Sequence, residues 1–401
     1  MTKPGLIKVV EMNEKAMTKS CDIAIIGGGP VGAALALALR DSGLNVVVIE
    51  ARKPEENMRD PRALALSHGS RLLLERLGVW SGIQQVADIH TIHISQKDSF
   101  GRVVLHADEL KVPALGYVLP YHVLHGALQS ALLASNTTCH TGAAVTQLHS
   151  EANGARFVFQ QAGSEHAVNA RLAVVADGGK LLETSHPPQV HDYGQSAIIA
   201  YVTCTHPQAG TAFERFTAQG PMALLPYRDG YELVWTAAHE TAQEMLQWDD
   251  ATFLARLHEH FGDRVGAFLT AGKRTFFPLS LRRAPDITLP HTVLIGNAAQ
   301  TLHPAAGQGF NLGLRDAWEM AQEILDAAPE MLGSEAMLAG YRKQRGLDRN
   351  GSIRFTDGLV RLFSNDLPLV SSGRAGALTA LDCLPFAKNF VAKRMMFGAN
   401  G

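Results

Sequence analysis

Apolar residues in this chain fall into two patterns, and the change from one to the other divides it. The first is the short apolar run. DIAIIG (22–27), NVVVIE (45–50), RLAVVA (171–176) and HTVLIGNA (291–298) are rich in β-branched residues and too short for helices. They are expected as strands buried on both faces. Between the first two, AALALALRDSG has helical length and stops at Gly43, a position after a helix end that favours glycine. Strand, helix and strand make one βαβ unit of about 30 residues. SHGSRLLLERLGVW (67–80) and HVLHGALQSALLAS (122–135) read as further helices, and 91–106 as a hairpin around Asp98–Gly101.

The second pattern occupies about 190–285. SAIIAYVTC, AFERFT, MALLPY and YELVWTA are short strands with turn residues between them, which marks a separate sheet-rich unit. From about 315 the chain is mostly helical, broken at Pro368 and Pro385. The expected architecture is α/β. A discontinuous Rossmann-like domain covers 17–72, 107–184 and 286–345, a sheet-rich substrate domain 73–106 and 185–285, and a helical region 346–401.

Composition narrows the function classes. A chain of 401 residues exceeds one ordinary core, and 46% hydrophobic with 18% charged residues is a globular mixture. A net charge of -2 leaves no electrostatic footprint for nucleic acid. Cys21, Cys139, Cys204 and Cys383 are far apart with no C-x-x-C pair. That argues against a disulfide framework, a cysteine zinc site or a dithiol centre, and fits a reducing cytoplasm. No apolar run reaches the ~18–20 residues of a membrane span. The N-terminal segment lacks the features of a signal peptide, and residues 1–16 are expected to be an extension outside the fold. None of the 17 histidines sits at metal-ligand spacing, and His258 and His260, two apart on an expected helix, point in different directions. No metal is expected.

Three motifs carry chemistry. Gly27, Gly29 and Gly32 have G-x-G-x-x-G spacing between a strand and a helix, and Glu50 ends the next strand. Gly27 allows the tight turn, Gly29 the approach of a pyrophosphate, and Gly32 close helix–strand packing. The helix start offers free N–H groups and partial positive charge, and Glu50 suits a ribose diol. Asp177-Gly178 follows the buried run RLAVVA, a combination that is also a common turn. The third motif, GNAAQTLHPAAGQGFNLGLRDA (296–317), runs through a glycine-rich loop into a helix with Phe310, Gly313, Leu314, Ala317, Ala321 and Ile324 on one face. A second glycine-rich helix start calls for a second partly anionic or flat polar ligand edge. A flavin dinucleotide has both a pyrophosphate and such a ring; a nicotinamide dinucleotide needs no second site.

These motifs appear in the order IIGGGPVGAALALAL, DPRALALS (60–67), VVADG (174–178) and GNAAQTLHPAAGQGFNLGLRDA. In that order the chain resembles the class A FAD-dependent aromatic hydroxylases, the group containing p-hydroxybenzoate hydroxylase. FERFTAQGPMALLPYRDGYELVWT (213–236) and TDGLVRLFSND (356–366) are similar to the ubiquinone-biosynthesis branch, nearest the 2-octaprenyl-6-methoxyphenol hydroxylases. The resemblance covers Cys21 to about residue 395. It implies that Gly27, Gly29, Gly32 and Glu50 hold the ADP half of FAD, with Arg62 near the flavin and its phosphates. Asp177 and Gly178 would serve FAD and the reduced nicotinamide cofactor. Asn297, where most relatives have Asp, would meet the ribityl chain, and Gly307, Gln308, Gly309 and Asn311 would complete the flavin site. Pro304 and His303 are the candidate catalytic residues, although His303 reads better as a loop-shaping residue than as a general base. His122 stands where many relatives carry Arg, and the Ser usual after Asp-Gly is missing.

The activity implied is a monooxygenase. NAD(P)H reduces FAD, O₂ adds to it as a hydroperoxide, and one oxygen passes to a polyprenylated phenol in ubiquinone biosynthesis. A prenyl reductase on the same scaffold, or a flavin-bound organising subunit of a lipid-synthesis complex, remain the alternatives. A halogenase would show a W-x-W pair, and the four tryptophans are scattered. Arg215 and Tyr227 fit either a pocket lining or an outward sheet face, and Trp235 a core or pocket wall. The stretch 367–397, with Lys388, Lys393 and Arg394 among apolar residues, fits a packed helix and also contact with a membrane surface or partner complex.

Overall fold

The computed structural model describes residues 20–53, 62–363 and 368–400. The extension 1–16, Asp60 and Pro61 of the DPRALALS motif, and 364–366 of the last motif lie outside the described residues. The helices are α1 (Pro30–Ala38), α2 (His68–Arg76), α3 (Tyr121–Ala134), α4 (His239–Gln247), α5 (Asp250–Phe261), α6 (Gln308–Asp326), α7 (Glu335–Phe363), α8 (Pro368–Cys383) and α9 (Pro385–Phe397).

The apolar runs meet in one parallel sheet. Ser20–Ile26 lies between Val46–Glu50 and Ser164–Val175, with Ile25 opposite Val48 on one side and Val174 on the other. Thr138–Thr141 and Thr292–Leu294 extend it in parallel at the two sides. α1, α3 and α6 bury their apolar faces in the core on this sheet, where Ile23, Leu35, Val174 and Leu314 are fully or nearly fully enclosed. The opposite face is covered by a β-hairpin, Ala143–Glu151 with Gly154–Gln161, whose Phe157 and Phe159 pack on Ala24, Val47 and Ile49. Polar, alternating sequence hides this hairpin from a search for apolar runs. The strand expected over 291–298 is shorter than its run, because Gly296 enters the left-handed region (φ 59°) and turns the chain.

Where the first strand's neighbours connect in opposite directions, a crevice opens at the carboxyl ends of the strands, the usual ligand position in such sheets. The glycine loop and Asp177 sit there.

A second, nine-stranded sheet contains the strands expected at 190–285 and the hairpin Thr91–Gln96/Arg102–His106 at its edge, Thr91–Gln96 running parallel to Thr211–Thr217. α4 and α5 interrupt the run of strands. Asp249 caps α5, accepting the Thr252 N–H at 2.7 Å, and Phe253, Leu257 and Phe261 bury against Trp235 and Phe213 on one face of the sheet. The C-terminal helices cover the other face through Phe363, Leu378, Ala392 and Met396. Pro368 and Pro385 begin α8 and α9, as proline favours a first helical position. Among the described residues no helix is long and apolar enough to cross a membrane, and the four cysteines are unpaired.

Candidate functional site

The first loop is built from backbone. Gly27 has φ +110°, and a Cβ there would lie 2.5 Å from the Ala176 carbonyl oxygen; a Cβ on Gly32 would lie 1.9 Å from that of Gly27. Both positions therefore require glycine to close the turn. A Cβ on Gly29 meets nothing within 4 Å, since Gly29 faces an open cleft at the start of α1, which has no side-chain cap. Glu50 is buried at 8% exposure; its Oε2 accepts the Gly28 N–H at 2.7 Å and its Oε1 the Arg52 N–H at 2.9 Å. The acid thus ties the glycine loop to the next strand. Gln129 of α3 donates to the Gly28 carbonyl at 2.7 Å, and His122, at the start of the same helix beside the cleft-lining Tyr121, is exposed.

Asp177 accepts the N–H groups of Gly179 (2.8 Å) and Leu181 (2.7 Å), so its carboxylate folds its own loop. Gly178 and Gly179 both have positive φ, which lets the turn close without the missing Ser.

The third motif is positioned by a buried charge network absent from the motif reading. Asp316 Oδ2 accepts the Gly296 N–H (3.0 Å) and the Gln300 amide (2.7 Å), while its Oδ1 accepts Arg345 Nη2 (2.5 Å) and Nε (2.8 Å). Arg345 is fully buried and also bonds Glu319 and Asp348, and Arg315 bonds Asp348 at 2.7 Å. The expected apolar stripe of α6 is buried apart from the half-buried Phe310, and its polar face is buried too, because α7 supplies these countercharges. Asp316 and Glu319, three apart on that face, are the sequence signal for this network.

His303 is 1% exposed; its Nδ1 accepts the Ala305 N–H at 3.1 Å, and its ring meets Tyr193 edge-on at 5.2 Å. Burial pushes its pKa down to about 4, which keeps it neutral. It lines neither of the two cavities below. Asn311, expected at the cofactor, spends its amide on the protein: Oδ1 accepts from Ser67 N–H and Ser70 Oγ, and Nδ2 donates to the Ala65 and Gly307 carbonyls. Gln308 is buried and donates to the Met395 carbonyl.

Two cavities meet at this loop. A cleft of about 570 Å³ brings together Gly27, Gly29, Glu50, Arg62, Asp177, Gly178, Asn297 and Gly309, residues drawn from every motif. Its size is that of a ligand site. Arg62 stands at its rim, 5.6 Å from the ring centres of Tyr121 and Phe277. Gly178 and Gly309, like Gly29, have open space where a Cβ would be. The second cavity, about 250 Å³ and almost wholly apolar, is walled by Pro304, Ala305 and Gly307 on one side. Phe213, Phe216, Leu225, Val234, Phe355 and Phe363 are among its other walls. Residues 304–309 are thus a partition with the cleft on one side and an apolar chamber on the other. Arg215 lies on the far face of the sheet, Tyr227 lines a separate groove, and Trp235 is core.

Residues 20–348 match the family model described as FAD binding domain. Ubiquinone hydroxylase UbiL of Rhodospirillum rubrum is 32% identical over 94% of this chain and 90% of its own. The 3-demethoxyubiquinol 3-hydroxylase of Escherichia coli is 33% identical over 89% of this chain and 96% of its own. In structure, p-nitrophenol 4-monooxygenase PnpA from Pseudomonas putida superimposes with a TM-score of 0.75 at 15% identity, covering 95% of this chain and all of that one, which is a likeness of fold. With its family model matched over most of its length, and hydroxylases similar to it along nearly their whole length, the chain is a member of the FAD binding domain family, alongside the ubiquinone hydroxylases.

Proposed function

We propose that this protein hydroxylates the ring of a polyprenylated phenol in ubiquinone biosynthesis, with FAD as cofactor, NAD(P)H as reductant and O₂ as co-substrate. The observation that carries this reading is the partition at 304–309: a ring held along it borders both the dinucleotide cleft and the apolar chamber. The cleft fits the cofactor, because Gly29, Gly178 and Gly309 leave open space and α1 and α6 begin without side-chain caps. Gly27, Gly29 and Glu50 would hold its ADP half, Arg62, Asp177 and Gly178 its middle, and Asn297 and the 307–309 backbone its ring end. When bound, FAD supplies the oxygen-activating chemistry.

The chain's own work is to bind, orient and exclude water. Among the described residues the chamber walls hold no His, Lys or Arg, and Glu214 is their one ionisable side chain, so a phenol enters a largely apolar space with Pro304 at its edge. We read His303 as the residue that sets the shape of this loop, its proton held on the buried Nε2 while Nδ1 accepts the Ala305 N–H. A chamber of about 250 Å³ has room for a ring and the start of its tail. Substrates of the 2-octaprenyl-6-methoxyphenol kind would extend the tail along α8 and α9, whose Leu378, Leu381, Val391 and Met395 line the chamber. Leu384, Phe386 and Phe390 are exposed at the start of α9, a placement that favours peripheral contact with a membrane holding the substrate.

The test is purification followed by two measurements. The protein should be yellow, and it should consume NAD(P)H and O₂ faster when a prenylated methoxyphenol is added, with hydroxylated product. A colourless protein that does not take up FAD sinks the reading. Yellow protein that reduces the substrate's double bonds without consuming O₂ replaces it with a prenyl reductase.

A further inference from the structure

The far face of the second sheet carries a charge arrangement that hydroxylation does not use. Strand register places Arg215, Ser95 and Arg102 in one row across three neighbouring strands. Their sequence neighbours Phe216, Ile94 and Val103 point the other way, into the apolar chamber. Arg264, in the turn after α5, reaches over the row: its Nη1 donates to Ser95 Oγ at 2.9 Å, and Arg215 Nη1 approaches the same oxygen at 3.5 Å. Two guanidiniums therefore share one neutral hydroxyl, on a residue only 2% exposed. Arg215 Nε is turned to the His260 carbonyl at 3.0 Å, and the exposed side chain of Arg102 makes no hydrogen bond to the described residues.

The acids nearby do not neutralise this group. Glu259 pairs with Arg256 and Asp263 with His258, and among the described residues no carboxylate forms an ion pair with Arg102, Arg215 or Arg264. Asp98, in the hairpin turn, is the acid that Arg215 feels. Burial and then Arg264 lower the pKa of Arg215, and burial and then Arg102 lower that of Arg264. His93, on the same face, is held down at about 4 by burial and by the three arginines. Like charges gathered on a half-buried surface weaken the fold unless an anion joins them. Guanidiniums present planar donor forks that match phosphate oxygens, and three of them exceed the needs of one carboxylate.

We propose that Arg102, Arg215 and Arg264 form a binding site for a phosphate group, separate from the cleft and the chamber. The group belongs to a soluble nucleotide or to a lipid headgroup; both present the same oxygens.

The test compares the FAD-loaded wild type with Arg264→Gln and Arg102→Gln. Thermal unfolding is followed with inorganic phosphate replacing chloride at constant ionic strength. Phosphate should raise the wild-type midpoint and raise that of either variant much less, and calorimetric affinity for inorganic phosphate should fall ~10-fold per lost charged contact. In chloride, Arg264→Gln should be at least as stable as the wild type, because repulsion is relieved. Competition by ADP stronger than that of inorganic phosphate assigns the source to a nucleotide. Retention on phosphatidylglycerol vesicles but not phosphatidylcholine vesicles, lost in Arg264→Gln, assigns it to a headgroup. Equal stabilisation of wild type and both variants by phosphate overturns the proposal. So does an Arg264→Gln destabilisation that is the same in chloride and phosphate, which makes Arg264 only a tie to Ser95.

Discussion

The polar cleft and the apolar chamber share a wall at 304–309 and are built by opposite means. The cleft is made of backbone: glycines whose missing Cβ atoms open the space, amides at helix starts, and carboxylates that pin loops to strand ends. The chamber is made of side chains from separate stretches, with residues from the edge hairpin, the central strands, the 304–307 turn and α7 to α9. A backbone site tolerates almost no substitution at its few fixed points. A side-chain site tolerates changes that keep volume and polarity. The two regions should therefore fail differently.

The largest effect is expected at the network that holds the shared wall. Arg345→Met leaves Asp316, Glu319 and Asp348 buried without their cation, and should cost ~3–5 kcal/mol, read as a fall in the denaturation midpoint of the apoprotein. A loss below ~1 kcal/mol would mean that the network relaxes by admitting water.

His303 should give the wall a pH dependence. Its pKa of about 4 lies below the ordinary value near 6.5, so the unfolded chain binds the extra proton in that window. Its contribution is fully present above ~6.5 and is lost as pH falls toward 4, up to ~3 kcal/mol. His303→Gln should flatten the fall in midpoint between those pH values; an unchanged slope assigns the acid sensitivity elsewhere.

Two glycines separate folding from binding within the cleft. Gly32→Ala drives a Cβ into the Gly27 carbonyl and should cost ~1–3 kcal/mol even without cofactor. Gly309→Val meets no protein atom at its Cβ, so the midpoint of the apoprotein should stay nearly unchanged while FAD occupancy is lost. Full occupancy in the valine variant would show that the ring end of the cofactor lies elsewhere.

The smallest effect belongs to the chamber. Ala223→Phe fills part of it and should lower kcat/KM for a prenylated phenol ~10-fold, leaving FAD content and substrate-free NAD(P)H oxidation unaltered. A matching fall in FAD content would show that the two regions are not separable.

Much of the cleft was legible because its determinants are local. The G-x-G-x-x-G spacing between two apolar runs, Asp-Gly after a third, and glycines before α6 each report a backbone conformation that neighbouring residues dictate. The reading was weaker wherever a partner came from a distance. Asn311 belongs to the motif, yet four protein groups claim its amide. Gln129 and Arg345 have no motif of their own, and Asp316, which lies at the end of the third motif, matters through what it touches outside it. Arg215 could be read as pocket lining or as outward surface until strand register set it beside Ser95 and Arg102.

By itself, then, the sequence determined the parallel sheet, the glycine turns and the need for a flavin dinucleotide, since period and spacing act over a few residues. Only the tertiary structure decided that a turn at 304–309 divides a polar cleft from an apolar chamber, that His303 is neutral and walled in, and that two arginines converge on one serine with a third in the same row. Burial, electrostatics and cavity shape are sums over residues far apart in the chain, and no local pattern encodes them.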